Sequence, residues 1–181
     1  MIEETVLLMA LVAIGTVVSC ASQNLQPQRV LFQQNFESEG DWDGQVVTDN
    51  VPAGSRRALE GYVDNRYFAR FIRVGIRDNP ARATAKTWIR FWYYLSMNTS
   101  LEVMLFDLTQ GDNYAAQVTE PTVGKWTEMT MQIADRFRRK DGSDAFMEAG
   151  DEIDDIFFGA GKSGDQNLQL LVDDVRLLGL D

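Results

Sequence analysis

Short strand-like runs separated by turn residues constrain the fold of this chain more than any other feature. Runs such as "VLFQQNF", "TWIRFWYYL" and "LEVMLFDL" are rich in β-branched and aromatic residues, and Gly, Pro, Asn and Asp occupy the stretches between them. Side chains alternate between the two faces of a strand, so each run can bury one face. Only "ADRFRRKDGSDAFMEAG" suggests a helical turn. The pattern predicts an all-β protein, an antiparallel sandwich or barrel.

The N-terminal segment differs from the rest of the chain. The apolar run "TVLLMALVAIGTVVSC" ends in small residues and resembles a bacterial lipoprotein signal peptide, with "VVSC" matching the lipobox and Cys20 as the lipidated residue. The acidic start "MIEE" departs from the basic start of such peptides, and the alternative is a core strand or buried helix. We expect a signal peptide at 1–19, a lipidated cysteine and tether at 20–29, and one domain at 30–181. That domain would lie outside the cytoplasm, anchored to the bacterial cell envelope.

Composition excludes several functions. The 181 residues are 45% hydrophobic, which is enough for one domain with a core. The chain has no histidine, the commonest acid/base residue and zinc ligand, and its single cysteine excludes an internal disulfide. A net charge of −10 argues against binding to the phosphate backbone of nucleic acids. No nucleophile–base pair can be assigned, so we predict no catalytic residues.

Three stretches of the chain carry a family resemblance. "NFESEGDW", "GKWTEMTMQIADRF" and "LLVDDVRL" occur in the order typical of carbohydrate-binding-module-like jelly rolls, and the chain resembles these members of the galactose-binding-like β-sandwich superfamily. The resemblance implies a single-domain antiparallel β-sandwich of jelly-roll type. It also implies a non-catalytic module that binds a polysaccharide or mediates surface interactions.

The same resemblance implies a structural Ca²⁺ ion where the first and last strands meet. By motif match, Glu37 and Asp173 are the candidate side-chain ligands, and oxygen donors are what calcium requires. Simple alternation along "LLVDDVRLL" places Asp173 on the core-facing side of its strand, where an unpaired carboxylate would be costly. The residues expected to share that side are Leu171, Asp173, Val175 and Leu177. The alternatives to calcium are an Arg–Asp pair or a position near a solvated sheet edge.

The best candidate for ligand binding is the run "TWIRFWYYL". As a strand, it has one obvious core face, formed by Ile89, Phe91, Tyr93 and Leu95. Aromatic rings beside a guanidinium suit a sugar, which stacks on a ring and accepts hydrogen bonds from planar donors. The candidate ligand-binding residues on the opposite face are Trp88, Arg90, Trp92 and Tyr94. The alternative is that Trp88 and Trp92 pack under a loop that covers the sheet.

Three other possibilities remain at the level of the sequence. Residues 56–90 hold nine basic and three acidic residues, and cross-strand pairing with the acidic residues of 91–181 is the favoured explanation. The functional alternative is a groove for an anionic glycan, lined by Arg66, Arg70 and Arg90. The stretch "GDEIDDIFF" resembles the catalytic strand of laminarinase-type hydrolases, but Phe157 stands where a second glutamate is needed. An acidic turn that enters a buried "IFF" strand is therefore favoured there, and a divergent glycan-degrading enzyme is a weaker alternative. A structural envelope lipoprotein that binds protein partners is the other alternative.

Overall fold

The computed structural model of the chain describes residues 28–180 except 65 and 77. Cys20 and the expected signal peptide lie outside the described residues. Within them, strands dominate, and the single α-helix, α1, has four residues. The strands are β1 (Gln28–Gln34), β2 (Trp42–Asp43), β3 (Gln45–Val47), β4 (Ala58–Glu60), β5 (Arg70–Gly75), β6 (Ala81–Arg82), β7 (Thr87–Leu95), β8 (Leu101–Asp107), β9 (Asp112–Gln117), β10 (Thr127–Gln132), β11 (Arg138–Arg139), β12 (Glu152–Ala160) and β13 (Leu170–Leu180), and α1 is Ile133–Arg136.

The strands form two antiparallel sheets. Sheet A has the order β10-β7-β13-β4-β3, and β1 also pairs with β13. Sheet B has the order β11-β9-β8-β12-β5-β2, and β6 also pairs with β12. The predicted all-β jelly-roll sandwich is confirmed. The predicted helical stretch contributes only α1, and its remaining residues form β11 and turns. No helix in the described part of the chain is long and apolar enough to cross a bilayer.

The core lies between the inward faces of the two sheets. Sheet A contributes the predicted face of β7, since Ile89, Phe91, Tyr93 and Leu95 are all buried. Sheet B supplies Phe158, whose ring centre lies 4.9 Å from that of Phe91. The buried Tyr93 keeps a polar partner, because its hydroxyl accepts a hydrogen bond from the Thr122 amide at 2.9 Å. The sequence prediction for this face of β7 is therefore confirmed.

Strand β13 does not alternate as simply as expected. Its pairing with β7 shifts register between Asp173 and Arg176, and Asp174 has a φ of 46°. The extra residue of such a bulge moves the alternation by one position. The core residues are Leu170, Val172, Val175 and Leu177, so the expected grouping of Leu171 and Asp173 with Val175 and Leu177 is wrong. Asp173 instead lies opposite Trp92, on the side of sheet A that faces away from the core.

Candidate functional site

The four predicted ligand-binding residues lie on the outward face of sheet A. Trp88, Arg90, Trp92 and Tyr94 are all half-buried, while the residues between them are buried in the core. The Nε of Arg90 lies 3.3 Å from an Oε of Glu128 on the neighbouring strand β10. We call these four residues the tryptophan face. It is neither part of the core nor fully open to solvent.

A loop covers one end of the tryptophan face. The ring of Tyr94 packs against Trp126, with the ring centres 6.1 Å apart. The Trp126 indole in turn donates a hydrogen bond to Asn50, in the loop between β3 and β4, at 3.1 Å. Residues 52–55 of the same loop form a cleft of about 270 Å³ with Trp92. The alternative that the sequence offers to ligand binding is packing of Trp88 and Trp92 under a loop. In the structure, a loop lies beside Trp92.

The polar groups of this cleft are largely engaged with each other. Asp174 accepts hydrogen bonds from Gln33 at 3.0 Å and from the Nε of Arg176 at 2.8 Å. Because Gln33 lies on β1, Asp174 links β13 to the neighbouring strand. The cleft thus offers a single tryptophan ring and side chains that already have partners.

The three arginines expected to line an anionic-glycan groove lie apart. Arg90 lies on the outward face of sheet A. Arg70 belongs to β5 of sheet B and donates to the Gln166 carbonyl at 2.8 Å. Arg66 is exposed in the loop before β5. Because two of them belong to different sheets, no groove of the described structure is formed by all three.

A larger and more apolar cleft lies on the outward face of sheet B. Its volume is about 410 Å³. Strands β5, β8, β9 and β12 form its floor, and the loop between β4 and β5 forms one wall. We call it the aromatic cleft, and its lining residues are Tyr67, Phe68, Phe71, Met104, Asn113, Lys140 and Phe157.

Three phenylalanine rings form a continuous platform in this cleft. The rings of Phe68 and Phe71 have centres 6.0 Å apart and planes 18° apart. The rings of Phe71 and Phe157 are 5.6 Å and 25° apart. Beside them Tyr67 is 78% exposed. The nearly parallel rings present one broad apolar surface.

Alternation and one turn place these rings. Ile72 on β5 and Phe158 on β12 point into the core, so the adjacent Phe71 and Phe157 point outward. The loop that carries Tyr67 and Phe68 is ordered by Asp64, whose carboxylate accepts hydrogen bonds from both of their amides at 3.1 Å. Burial raises the pKa of Asp64, but hydrogen bonds from the Arg66, Tyr67 and Phe68 amides lower it by a larger amount. The pKa of Asp64 therefore lies below its usual value.

A row of hydrogen-bonding side chains runs beside the platform. The Nζ of Lys140 donates to Glu102 at 2.6 Å, and the amide of Gln117 donates to the other oxygen of Glu102 at 2.7 Å. The Lys140 ammonium also lies 6.0 Å from the centre of the Phe68 ring. Platform and polar row together provide the two kinds of contact that a sugar requires.

An arginine that forms ion pairs with three carboxylates lies on the other side of the platform. Arg73, opposite Phe157 in the sheet, forms ion pairs with Asp41, Asp43 and Asp155. The hydrogen bond to Asp41 is the largest contribution that raises the pKa of Arg73 above its usual value, against the opposing effect of burial. Through these ion pairs, Arg73 on β5 links β2 and the loop before it to β12.

The hydrolase-like stretch does not form a catalytic pair. Glu152 forms an ion pair with Arg82, and Phe157 lines the aromatic cleft. The sequence prediction treated "IFF" as a buried strand and therefore missed Phe157. Alternation alone indicates that one of Phe157 and Phe158 points outward, but not which one.

The two predicted calcium ligands lie near each other at the junction of β1 and β13. Asp173 is fully buried; its Oδ1 accepts a hydrogen bond from the Asp174 amide at 2.7 Å, and its Oδ2 has no hydrogen-bond partner among the described residues. The pKa of Asp173 is raised to about 6, and burial is the largest cause. The charges of Asp174 and Glu37 also raise this pKa, whereas the Ser55 side chain and the Asp174 amide lower it.

Glu37 is partly engaged elsewhere. Its carboxylate accepts hydrogen bonds from the amide of Arg56 at 2.7 Å and from the Arg56 Nε at 3.1 Å. In the described part of the chain, Asp173 forms no ion pair with an arginine, and no three His, Cys, Asp or Glu side chains lie close enough to bind a metal ion by themselves. The unpartnered oxygen of Asp173 beside a second carboxylate fits a hard cation, with backbone oxygens and water as the remaining ligands.

Comparison with known proteins identifies the fold. No protein-family model matches the sequence, and no curated protein matches it. The CBM22-1 xylan-binding domain of Paenibacillus barcinonensis Xyn10C is similar, with 14% identity over 86% of this chain and 97% of that domain, and a TM-score of 0.52. The family 11 carbohydrate-binding module of the Clostridium thermocellum cellulase Lic26A-Cel5E has 17% identity over 85% and 95%, and a TM-score of 0.54. An exo-β-agarase matches with 11% identity over 83% of this chain and 25% of its own, and a TM-score of 0.53.

These similarities agree with the topology of the two sheets. Nearly the whole length of two carbohydrate-binding modules superimposes on this chain, whereas only a quarter of the agarase does. At such low identities the likeness concerns the fold. The chain has the jelly-roll β-sandwich fold of carbohydrate-binding modules.

Proposed function

We propose that this protein is a non-catalytic carbohydrate-binding module and that it holds a polysaccharide in the aromatic cleft of sheet B. The observation that carries the proposal is the platform of Phe68, Phe71 and Phe157, three nearly parallel rings on an outward sheet face. Apolar C–H faces of sugar rings stack on such surfaces, and removal of an aromatic contact costs on the order of 1 kcal/mol beyond its buried area.

The surroundings of the platform support a sugar chain as the ligand. Lys140, Glu102 and Gln117 form a row of donors and acceptors beside the rings, where hydroxyl groups can exchange hydrogen bonds with them. The exposed ring of Tyr67 extends the apolar surface at the loop side. Adjacent rings can contact successive units of one polymer, which a single ring cannot do.

The tryptophan face is the second candidate surface for the same function. Trp92 borders the 270 Å³ cleft, whose lining includes the amides of Gln33 and Asn35. Trp88, Arg90 and Tyr94 would extend a ligand along β7. We place this surface second because its cleft contains a single aromatic ring, that of Trp92, and because Tyr94 is packed against Trp126.

The proposal includes a structural Ca²⁺ ion and a lipid anchor. The unpartnered Oδ2 of the buried Asp173, with Glu37 nearby, supports calcium between β1 and β13. There the ion would neutralise buried charge and tie the first strand to the last. The "VVSC" motif supports lipidation at Cys20, which would hold the module at the bacterial cell envelope.

A glycan array with the purified chain tests the proposal. We expect binding to one class of polysaccharide, with loss of at least tenfold in affinity for Phe71→Ala and for Phe157→Ala. Trp88→Ala and Trp92→Ala serve as matched controls, since they remove aromatic rings from the outward face of the other sheet. Loss of binding in the tryptophan variants alone would move the site to the tryptophan face. Absence of binding to every glycan would favour the alternative of a structural lipoprotein with protein partners.

A further inference from the structure

Two buried carboxylates lie at one end of the sandwich, on sheet B. Asp107 is the last residue of β8, and alternation from Leu101, Val103 and Leu105 points its side chain toward the core. Asp151 immediately precedes β12. Asp107 is fully buried and Asp151 is 5% exposed. Neither carboxylate belongs to the aromatic cleft or to the Asp173 site.

The Asp107 carboxylate has one oxygen that nothing in the described structure satisfies. Its Oδ1 accepts a hydrogen bond from the Thr109 amide at 2.8 Å, but its buried Oδ2 has no hydrogen-bond partner. Burial raises the pKa of Asp107 above its usual value and the negative charge of Asp151 raises it too, while the Thr109 and Gln110 amides and the Thr109 side chain lower it. An unpaired buried charge is among the costliest features that a core can contain. Something must compensate it.

No basic side chain supplies that compensation. Among the described residues, neither Asp107 nor Asp151 forms an ion pair with a lysine or arginine, and Asp151 instead accepts a hydrogen bond from the Glu148 amide at 2.8 Å. Arg139, the basic group that acts on Tyr114, is shared between Asp112 at 2.9 Å and Asp141 at 3.1 Å.

A third oxygen belongs to the same electrostatic environment as the two carboxylates. Tyr114 on β9 is 3% exposed and points into the same end of the core. Burial raises the pKa of its hydroxyl, and the charges of Asp107 and Asp151 raise it further. The group consists of hard oxygen donors only, which suit Ca²⁺ and are poor ligands for softer metals.

We propose that Asp107 and Asp151 bind a divalent cation of the calcium type, separate from the ion proposed at Asp173. The free Oδ2 of Asp107 is the central ligand. Asp151 provides a second carboxylate, and the Tyr114 hydroxyl, backbone carbonyls and water complete the shell. The ion would join the end of β8 to the start of β12 and close this end of the sandwich.

Thermal melts of the full chain, stripped with chelator and then titrated with CaCl₂, test this site. The measurements use an Asp173→Asn background, so that the other proposed ion does not contribute. Ligand that binds only the folded state raises its melting temperature, and we expect a rise of several degrees that Asp107→Asn abolishes. Because asparagine has nearly the same shape and no charge, the metal-free Asp107→Asn protein should melt no lower than its background.

Asp112→Asn is the matched control. Asp112 lies on the same hairpin as Asp107 but pairs with Arg139, so its variant should keep the calcium response. Tb³⁺ provides a second readout, because a nearby tyrosine sensitises its luminescence; Tyr114→Phe should reduce the signal that Asp107→Asn removes. A melt that calcium does not move in the Asp173→Asn background would overturn the proposal and leave a proton on Asp107 as the compensation. A calcium response that survives Asp107→Asn would overturn it as well.

Discussion

The ring of Phe68 lies against Gly159, where a β-carbon on residue 159 would fall 2.7 Å from three atoms of the ring. Gly159 is on β12, opposite Phe71 in the sheet. The missing side chain makes room for the Phe68 ring, which lies nearly parallel to that of Phe71. The position of Phe68 in the aromatic cleft therefore depends on the absence of a side chain at Gly159.

Gly159→Ala tests this relationship. The added methyl group must displace the Phe68 ring, which can move outward toward solvent, so we expect a stability loss of about 1–2 kcal/mol and a clear loss of glycan affinity. Gly179→Ala is the control, because its β-carbon would meet Leu31 at an ordinary 3.5 Å. Calorimetric titration with the glycan found on the array, beside thermal melts, measures both effects. Unchanged affinity in Gly159→Ala would show that Phe68 is not part of the binding platform.

Phe157 and Phe158 offer a comparison between neighbours on opposite faces of β12. Phe158→Ala should destabilise the fold by about 3–5 kcal/mol, since it leaves a cavity against Phe91. Phe157→Ala should cost clearly less stability, because this ring is only partly buried, while it removes most of the glycan affinity. Urea unfolding curves and binding titrations of the two variants separate these roles. Equal destabilisation by both substitutions would contradict a binding role for Phe157.

Substitutions on the tryptophan face can likewise be compared for their effects on stability and on binding. Since Trp88 and Trp92 are half-buried, Trp→Ala at either position should destabilise the protein by less than the roughly 3–5 kcal/mol of a core aromatic. If this face binds the sugar, Arg90→Lys should also weaken binding, because a point charge does not reproduce a planar guanidinium. Arg90→Lys that binds as wild type, together with loss of binding in Phe71→Ala, would exclude the tryptophan face.

Calcium at the Asp173 site should be visible in the stability of the protein. Chelator should lower the melting temperature of the wild type, and Asp173→Asn should remove the part of that shift that the ion at Asp173 contributes. Glu37→Gln should reduce the same part, since Glu37 shares the electrostatic environment of Asp173. If Asp173→Asn leaves the chelator effect as large as in the wild type, no calcium binds there.

Lipidation of Cys20 predicts membrane association. A diacylglycerol together with a further acyl chain provides the two or more chains that stable anchoring needs. Cys20→Ser should therefore move the protein out of the membrane fraction and block removal of the signal peptide, as seen by fractionation and mass spectrometry. Unchanged partitioning of the variant would disprove the anchor.

Local sequence patterns were sufficient for the class of fold and for one face of one strand. The period-two alternation of "TWIRFWYYL" predicted that Ile89, Phe91, Tyr93 and Leu95 are buried, and they are. Alternation is a property of each strand alone, and turn residues mark where each strand ends. Neither needs knowledge of the partner strand, which explains why both could be recognised without a structure.

Alternation failed where the partner strand decides the geometry. The bulge at Asp173 and Asp174 moves Leu170 and Val172 into the core, and the chain shows it only through the register between β13 and β7. "IFF" predicted a strand but could not tell which of Phe157 and Phe158 faces outward, because that depends on which face of β12 the other sheet covers.

The sequence by itself thus determined a β-sandwich with a known core strand and two suspect carboxylates, Glu37 and Asp173. The tertiary structure alone assembled the aromatic cleft from β5, β12 and the loop between β4 and β5, and strand pairing alone brought the end of β8, with Asp107, to the start of β12, which follows Asp151. Phe68 and Phe157 lie in distant parts of the chain, yet their rings belong to one platform. Contacts between such distant residues arise from strand pairing, a non-local interaction that no local pattern encodes.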